Sequence, residues 1–389
     1  IAQKKGALGF SGICNLTHQI ARALCEGQIE QLELAGLTEL SDAAAESLSK
    51  LDGTLTLYGL TSLSDGPGHI ALAERLSKHE GDLYLHNLTE LSDDSAESLS
   101  KHEGDLDLSG LTSLSDAVAE RLGKHEGSLF LGGLTCLSDA AAESLSKHSR
   151  SLKRNRSSSG QWMDTPWGDL YLHNLTELSD AAAESLSKHK GGLNLSGLTT
   201  LSDAAAESLS KHKGDLSLSG LTTLSDAAAE SLSKHKGGLG LNGLTELTDV
   251  TAENLGKNAG GFLLLNGLTK LSDAAAESLC KHEGQIELAG LTVLSEAAAD
   301  SLSKHEGNLV LNGLTELTDV AVESLCKHEG YLYLDGLTSL SDAAAESLSK
   351  HEGLLFLNSL TELSDAAAKS LSKHKGGLDL NGLTSLSDA

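Results

Sequence analysis

One sequence of about 23 residues recurs along the whole chain. Residues 193–215 read LNLSGLTTLSDAAAESLSKHKGD, and residues 216–238 read LSLSGLTTLSDAAAESLSKHKGG. These two stretches begin 216 − 193 = 23 residues apart. A period of this length indicates a solenoid, in which each repeat packs on its neighbours and the chain gains length without forming separate globular cores.

Sixteen copies can be aligned on the first apolar residue of an L-x-L pattern. We predict a degenerate N-terminal repeat at 1–31, repeats at 32–148, a basic insertion at 149–167, and repeats at 168–389, of which the last is truncated. The aligned positions are Leu8, Leu32, Leu55, Leu83, Leu106, Leu129, Leu170, Leu193, Leu216, Leu239, Leu263, Ile286, Leu309, Leu332, Leu355 and Leu378.

Each repeat is predicted to contain a strand, a turn, a helix and a second turn. The L-x-L alternation is typical of a short strand, and Ser202 with Asp203 predicts a helix N-cap. The helix should cover residues 204–211 and end at Gly214 in the left-handed conformation. A single unit buries too little apolar surface to fold alone, so stacking is required. We therefore predict an α/β fold with a continuous parallel sheet on one face and short helices on the other.

The repeated pattern L-x-L-x-x-L-T-x-L-S-D-x-x-x-x-x-L resembles leucine-rich repeats. It is closest to the cysteine-containing subclass, with Leu198 where that subclass has Cys and Leu201 where it has Ile. Ser202 and Asp203 stand where the subclass has Thr-Asp. The resemblance covers nearly the whole chain and implies a solenoid that binds other molecules. Because the copies are almost identical, the chain also looks like large bacterial surface or secreted leucine-rich proteins, which implies an extracellular or cell-surface location.

Composition disfavours several classes of function. The net charge of −26 argues against nucleic acid and against anionic membrane surfaces. No apolar run reaches transmembrane length, and the five cysteines are an odd number without the regular spacing of a disulfide framework. We find none of the short motifs that mark phosphate-binding loops, serine hydrolases or zinc proteases. We therefore expect no enzyme, no cofactor and no metal.

The residue between the two leucines of L-x-L should point out of the sheet, because side chains alternate along a strand. Of the nine Tyr and Phe residues, five occupy this position, and Tyr58 and Tyr331 lie beside the same strands. Exposed aromatic side chains make good anchors at interfaces. We predict a surface that binds a protein or a glycan. The alternative is a surface without a binding role, which simply tolerates varied residues. Its candidate residues form two groups, Tyr331, Tyr333 and Phe356, and Tyr84, Phe130 and Tyr171.

The insertion at 149–167 is a second candidate site. It concentrates basic residues and both tryptophans of an otherwise acidic chain. We predict a docking loop for an acidic neighbour such as another copy of the chain. The alternative is a decayed repeat, since Leu152 falls where a strand would begin. The candidate docking residues are Arg150, Lys153, Arg154, Arg156, Trp162 and Trp167.

Two polar columns recur in step with the repeat. Histidines such as His212 and His235 precede the capping glycine, and they could bind metal or sense pH. We prefer a simpler interpretation, that cationic groups suit a helix C-terminus. The Ser-Asp column could hold calcium, but N-capping explains it with fewer assumptions.

These observations favour a non-catalytic protein. The first hypothesis is a structural protein that assembles into a filament or surface layer through end-to-end or lateral contacts, as a homo-oligomer or as part of a longer chain. The alternative is a recognition scaffold that binds a protein or a glycan through the aromatic column.

Overall fold

Each complete repeat folds into a short strand, a turn and one short helix. The computed structural model describes residues 6–27, 29–148 and 168–384. They fall into two units, Ile1–Gly197 and Leu198–Ala389. Within each unit the L-x-L strands pair in parallel and in register, with one leucine opposite the next, as in Leu106↔Leu129 and Leu216↔Leu239. This confirms the α/β prediction of a repeating solenoid with a parallel sheet.

In the first unit, short strands alternate with helices. Its strands are β1 (Ala7–Gly9), β2 (Asn15–Leu16), β3 (Gln31–Glu33), β4 (Glu39–Leu40), β5 (Thr54–Thr56), β6 (Ser62–Leu63), β7 (Leu83–Tyr84), β8 (Glu90–Leu91), β9 (Leu106–Asp107), β10 (Leu129–Phe130), β11 (Leu170–Tyr171) and β12 (Leu193–Asn194). Its helices are α1 (His18–Glu26), α2 (Asp42–Leu48), α3 (Pro67–Leu76), α4 (Asp93–Leu99), α5 (Asp116–Leu122), α6 (Asp139–Leu145) and α7 (Asp180–Leu186).

The sheet of the first unit is in two parts. Strands β1, β3 and β5 form one part, and β7, β9, β10, β11 and β12 form the other. The break falls in the repeat that is lengthened to 83 − 55 = 28 residues, and the chain enters β7 through Gly81, whose φ is +88°. Two small ladders, β2 with β4 and β6 with β8, pair further along the same repeats.

The second unit is more regular. Its strands are β13 (Leu216–Ser217), β14 (Leu239–Gly240), β15 (Phe262–Leu264), β16 (Gln285–Glu287), β17 (Leu309–Val310), β18 (Leu332–Tyr333), β19 (Leu355–Phe356) and β20 (Leu378–Asp379). Its helices are α8 (Asp203–Leu209), α9 (Asp226–Leu232), α10 (Asp249–Gly256), α11 (Asp273–Leu279), α12 (Glu296–Leu302), α13 (Asp319–Leu325), α14 (Asp342–Leu348) and α15 (Asp365–Leu371). Each of β13–β19 pairs with the next strand in sequence.

The core is made of leucine and alanine layers. In the repeat that begins at Leu216, the side chains of Leu216, Leu218 and Leu221 are at most 1% exposed, and Ala228 and Leu232 on the helix are fully buried. Burying a leucine side chain contributes roughly 1.5–3 kcal/mol. Because each layer is covered by the leucines of the adjacent repeats, this burial is available only in the stack.

One leucine of the pattern is less buried than the others. Leu201 and its equivalent Leu224 are only half-buried. In the four earliest repeats the same position lies in a second small strand. There Leu16, Leu40 and Leu63 are 2%, 9% and 1% exposed, and Leu91 is half-buried. In the later repeats no strand is described at this position.

The predicted N-caps are confirmed, and they also link the repeats. The Ser202 hydroxyl accepts the Ala205 N–H at 3.0 Å, and helix α8 begins at Asp203. In the following repeat, Ser225 caps α9 and also donates its hydroxyl hydrogen to the Asp203 carboxylate at 2.5 Å. Glu207 and Lys211, four residues apart in sequence, form an ion pair at 3.2 Å on the exposed side of the helix.

The prediction that Gly214 caps its helix in the left-handed conformation is wrong. Among the described residues only Gly6 and Gly81 have a positive φ, so Gly214 does not end its helix in the left-handed conformation. The helix ends earlier, at Leu209, in a tightened turn where the His212 N–H bonds to the Leu209 carbonyl at 3.0 Å. Glycine is needed here for close stacking instead, because a Cβ on Gly237 would lie 2.2 Å from the Gly214 oxygen.

Candidate functional site

The outward side of the strands offers three side-chain positions in each repeat. They are the central residue of L-x-L and the residues two before and two after it, since alternate residues of a strand share one side. We call this surface the sheet face. The structure places all six predicted aromatic residues on it, although it does not bring all of them together.

In the second unit, the predicted group is present and is larger than expected. Tyr333 and Phe356 lie opposite each other on β18 and β19, with ring centroids 4.2 Å apart and planes 4° from parallel. Tyr331, two residues before Tyr333, is 43% exposed. Val310 faces Tyr333 from β17, and Leu354 stands two residues before Phe356. We call these five residues the second-unit patch.

The orientation of the stacked rings limits what they can contact. Neighbouring strands lie about 4.8 Å apart, and the centroids of Tyr333 and Phe356 are separated by 4.2 Å with nearly parallel planes. The ring faces therefore point along the sheet towards adjacent strands, and the ring edges point outwards. A flat sugar that stacks on an exposed ring face is disfavoured, whereas apolar side chains that pack against ring edges are favoured.

In the first unit, the predicted group is divided. Phe130 and Tyr171 stack on β10 and β11 at 4.2 Å and 4°. Tyr84 lies on β7, and Asp107 of β9 stands between it and Phe130. Tyr84 instead contacts Tyr58 in an edge-to-face arrangement. Their ring centroids are 6.4 Å apart, and the angle between the ring planes is 68°.

The environment of these tyrosines is acidic. The Tyr171 hydroxyl lies 3.4 Å from an Asp169 carboxylate oxygen, and the Tyr84 hydroxyl lies 3.5 Å from one of Asp82. Burial raises the pKa of each tyrosine, and the neighbouring carboxylate raises the pKa further.

Among the described residues, no lysine or arginine occupies any of the three sheet-face positions. The acidic residues at these positions are Glu33, Asp82, Asp105, Asp107, Asp169, Asp215, Glu287, Asp335 and Asp379.

The second candidate site lies outside the described residues. Arg150, Lys153, Arg154, Arg156, Trp162 and Trp167 all fall within 149–167. The flanking strands are described, and Leu129 of β10 pairs directly with Leu170 of β11, although they are 41 residues apart in sequence. The docking loop remains a prediction.

Apart from His79 and His374, which are half-buried, the histidine column is buried, and this contradicts our prediction of cationic helix ends. His125 and His148 are fully buried, and their ring centroids are 5.9 Å apart. Burial, with a smaller contribution from adjacent histidines, lowers the pKa of His125, His148 and His328 to about 4. These imidazoles are therefore neutral at pH 7. We call the column the histidine ladder, which comprises His102, His125, His148 and His189 in the first unit and His212, His235, His282, His305, His328, His351 and His374 in the second.

Two natural replacements show what fits at a ladder position. Leu51 stands there in an early repeat and is 3% exposed. Asn258 stands there in the second unit, where its side chain donates to the His235 carbonyl at 2.8 Å and accepts the Gly260 N–H at 2.8 Å. In the described part of the chain, no group of three or more His, Cys, Asp or Glu side chains is placed to hold a metal ion.

The parallel strands, the leucine layers and the 23-residue period define the fold as a leucine-rich repeat solenoid. The chain is similar to the solved structure of a TLR13–ssRNA13 complex, with 18% identity and a TM-score of 0.51, over 98% of this chain and 60% of that one. It is also similar to an internalin, InlF, from Listeria monocytogenes, with 17% identity and a TM-score of 0.41, over 96% of this chain and 89% of that one.

Sequence comparison adds no closer relative. No protein-family model matches the chain, and no curated protein matches it. Among the described residues, no helix is both long and apolar enough to cross a membrane.

Sequence reasoning missed part of the sheet face. It considered mainly the central residue of L-x-L, so His86 and Leu354 were not recognised as members. The signal was available, because residues two before and two after the central one share its side of a strand. The contact between Tyr58 and Tyr84 could not be predicted from alternation along one strand. It joins two consecutive repeats, and the first of them is the one with five extra residues.

Proposed function

We propose that the chain is a non-catalytic protein-binding scaffold whose sheet face recognises its partner. The observation that supports this best is the second-unit patch, in which Tyr331, Tyr333 and Phe356 lie together with Val310 and Leu354. Rigid aromatic side chains are enriched among the residues that dominate binding energy at interfaces. The leucine-rich repeat fold also supports a binding role, and no enzymatic family is indicated by the comparisons.

A protein partner is favoured over a glycan or a nucleic acid. The parallel stacking of Tyr333 on Phe356 presents ring edges rather than ring faces to a ligand. The TLR13 structure is a complex with single-stranded RNA, but RNA binding depends on cationic side chains near the phosphates. The described sheet face of this chain has no lysine or arginine, and the net charge is −26.

The location that fits this role is outside the cell or on a bacterial surface. This part of the proposal rests on the resemblance of the nearly identical repeats to surface and secreted leucine-rich proteins. Fractionation of the source cells, with the protein detected by antibody, tests the location.

The experiment compares two double variants, each of which replaces two apolar side chains with serine. Tyr333→Ser with Phe356→Ser removes the stacked pair, and Val250→Ser with Val320→Ser removes two exposed valines, each 51% exposed, from helices α10 and α13. Each protein is cross-linked in an extract of its source, and the captured proteins are quantified. We expect at least one protein to be lost with the tyrosine–phenylalanine variant and retained with the valine variant. Identical capture by both variants and the wild type would refute the proposal.

Assembly of copies is a second candidate, and it is favoured by the uniform contact between repeats. The same serine-to-carboxylate bond recurs from one repeat to the next, as in Ser225 with Asp203 and Ser295 with Asp273, both at 2.5 Å. A second copy that stacked end to end could use the same contacts, and such a head-to-tail interface builds an open filament. Electron microscopy of the purified protein at micromolar concentration tests this, because discrete monomers would exclude the filament.

A further inference from the structure

We propose that the corner formed by Tyr58 and Tyr84 binds a cationic side chain, arginine in preference to lysine, from a basic segment of a partner protein. This inference rests on the proposed function, because it assigns a chemical class to what one part of the sheet face binds. It concerns the first unit only, at a site separate from the second-unit patch.

The two tyrosines form two walls of an open corner. Their ring centroids are 6.4 Å apart and the angle between the ring planes is 68°, so the two rings line the space between them from different directions. They remain accessible, with Tyr58 38% and Tyr84 46% exposed. His86, two residues after Tyr84, also stacks on Tyr58, at a centroid distance of 6.0 Å, and helps to fix the position of that ring. A cation over an aromatic face within about 6 Å is attracted by the negative charge density of the ring.

Carboxylates lie on the Tyr84 side of this corner and are held in place by the backbone. Asp107 lies beside Tyr84 on the adjacent strand. One oxygen of Asp82 accepts the Asp105 N–H at 3.2 Å, and the other lies 3.5 Å from the Tyr84 hydroxyl. One oxygen of Asp107 likewise accepts the Ser109 N–H at 2.9 Å. Because these side chains are already fixed, little conformational entropy is lost when they bind a cation.

Nothing on the described sheet face neutralises this charge, since its three side-chain positions hold no lysine or arginine. On the helix side of these repeats, Lys78 pairs with Glu74 at 3.1 Å and Lys124 with Glu120 at 3.9 Å. The corner therefore combines negative charge with exposed aromatic rings. Guanidinium suits it better than ammonium, because a planar group can stack on a tyrosine and still bond to a carboxylate.

The test uses a fluorescent hexa-arginine peptide as the probe and measures its affinity for the full chain by anisotropy in 0.15 M salt. Tyr58→Ser with Tyr84→Ser removes the walls, and Asp82→Asn with Asp107→Asn removes two charges. Each double variant is expected to weaken binding roughly tenfold. Hexa-lysine is expected to bind the wild type more weakly than hexa-arginine.

A matched control removes the same amount of charge elsewhere. Glu143→Gln with Glu184→Gln takes two carboxylates from the exposed helix side of the same unit, where they pair with Lys147 and Lys188 at 3.1 and 3.2 Å. Affinity should change less than threefold. Equal weakening by the control and by the Asp82/Asp107 variant would show only general attraction to an acidic protein and would overturn the proposal, as would unchanged binding by the tyrosine variant.

The two proposals fail separately. The Tyr333/Phe356 variant of the second unit is expected to bind hexa-arginine as the wild type does. If that variant also captures the same proteins as the wild type, the proposed function of the second-unit patch fails while the cationic site stands. If the Tyr58/Tyr84 variant keeps full affinity for hexa-arginine, the cationic site fails irrespective of the capture result.

Discussion

The histidine ladder predicts that acid will destabilise the first unit. His125 and His148 are fully buried and have a pKa of about 4 in the folded chain, whereas an unfolded histidine has a pKa near 6.5. Between these values the unfolded state binds a proton that the folded state does not. Stability is therefore complete above about pH 6.5 and is lost as the pH falls towards 4.

The magnitude follows from the number of buried rings. Each such histidine lowers the free energy of unfolding by about 1.4 kcal/mol per pH unit in this window. His125 and His148 together therefore contribute a slope of about 3 kcal/mol per pH unit. For a unit of this size, a change of 1 kcal/mol shifts the melting temperature by about 2–4 °C.

The test exchanges the residues that occur naturally at this position. His125→Leu copies the buried Leu51, and it should reduce the slope of stability against pH by about 1.4 kcal/mol per pH unit. Leu51→His is the reciprocal control, and it should make the slope steeper. Thermal unfolding followed by circular dichroism from pH 7.5 to 4.5 measures both. Parallel pH profiles for the wild type and both variants would refute the argument that buried neutral rings cause the acid sensitivity.

Three further predictions concern the repeat architecture. Gly237→Ala should destabilise the second unit by roughly 1–3 kcal/mol, because the added Cβ meets the Gly214 oxygen at 2.2 Å. Gly261→Ala is the control, since no atom lies within 4 Å of its new Cβ, and it should cost less stability. Denaturant titration measures both variants. Ser225→Ala should cost about 1–2 kcal/mol, since it removes a helix cap and a bond to the preceding repeat; an unchanged melting temperature would contradict this. Deletion of 150–166 should leave the far-ultraviolet circular dichroism spectrum of the repeats unchanged, because β10 and β11 already pair directly. If the deletion abolishes assembly into larger particles, the docking role of the insertion is supported. If assembly persists, that role is rejected.

The fold could be predicted because its information is local and repeated. The L-x-L alternation and the serine–aspartate cap each specify a short element, and the recurrence of Leu193 at Leu216 specifies how the elements stack. The exceptions come from contacts between repeats. The half-burial of Leu201 depends on how the neighbouring repeats cover that position, and the requirement for glycine at 237 depends on the backbone of the preceding repeat.

The candidate site was predicted only in part for the same reason. The outward direction of Tyr333 and Phe356 follows from alternation along one strand, so their place on the sheet face could be foreseen. The histidines were misinterpreted because each follows an exposed lysine, as His125 follows Lys124, and therefore looks like part of a basic helix end. Their burial arises only when rings from successive repeats stack on one another.

The direct pairing of β10 with β11 has a practical consequence. Leu129 meets Leu170 in the same register as strands only 23 residues apart, although 41 residues separate the two. The entropy of closing a connection rises slowly with its length, so the connection between residues 148 and 168 should tolerate additional sequence. A reporter or affinity module inserted between 148 and 168 should leave the leucine alignment intact, which makes this connection a suitable place to label the protein or to attach it to a support.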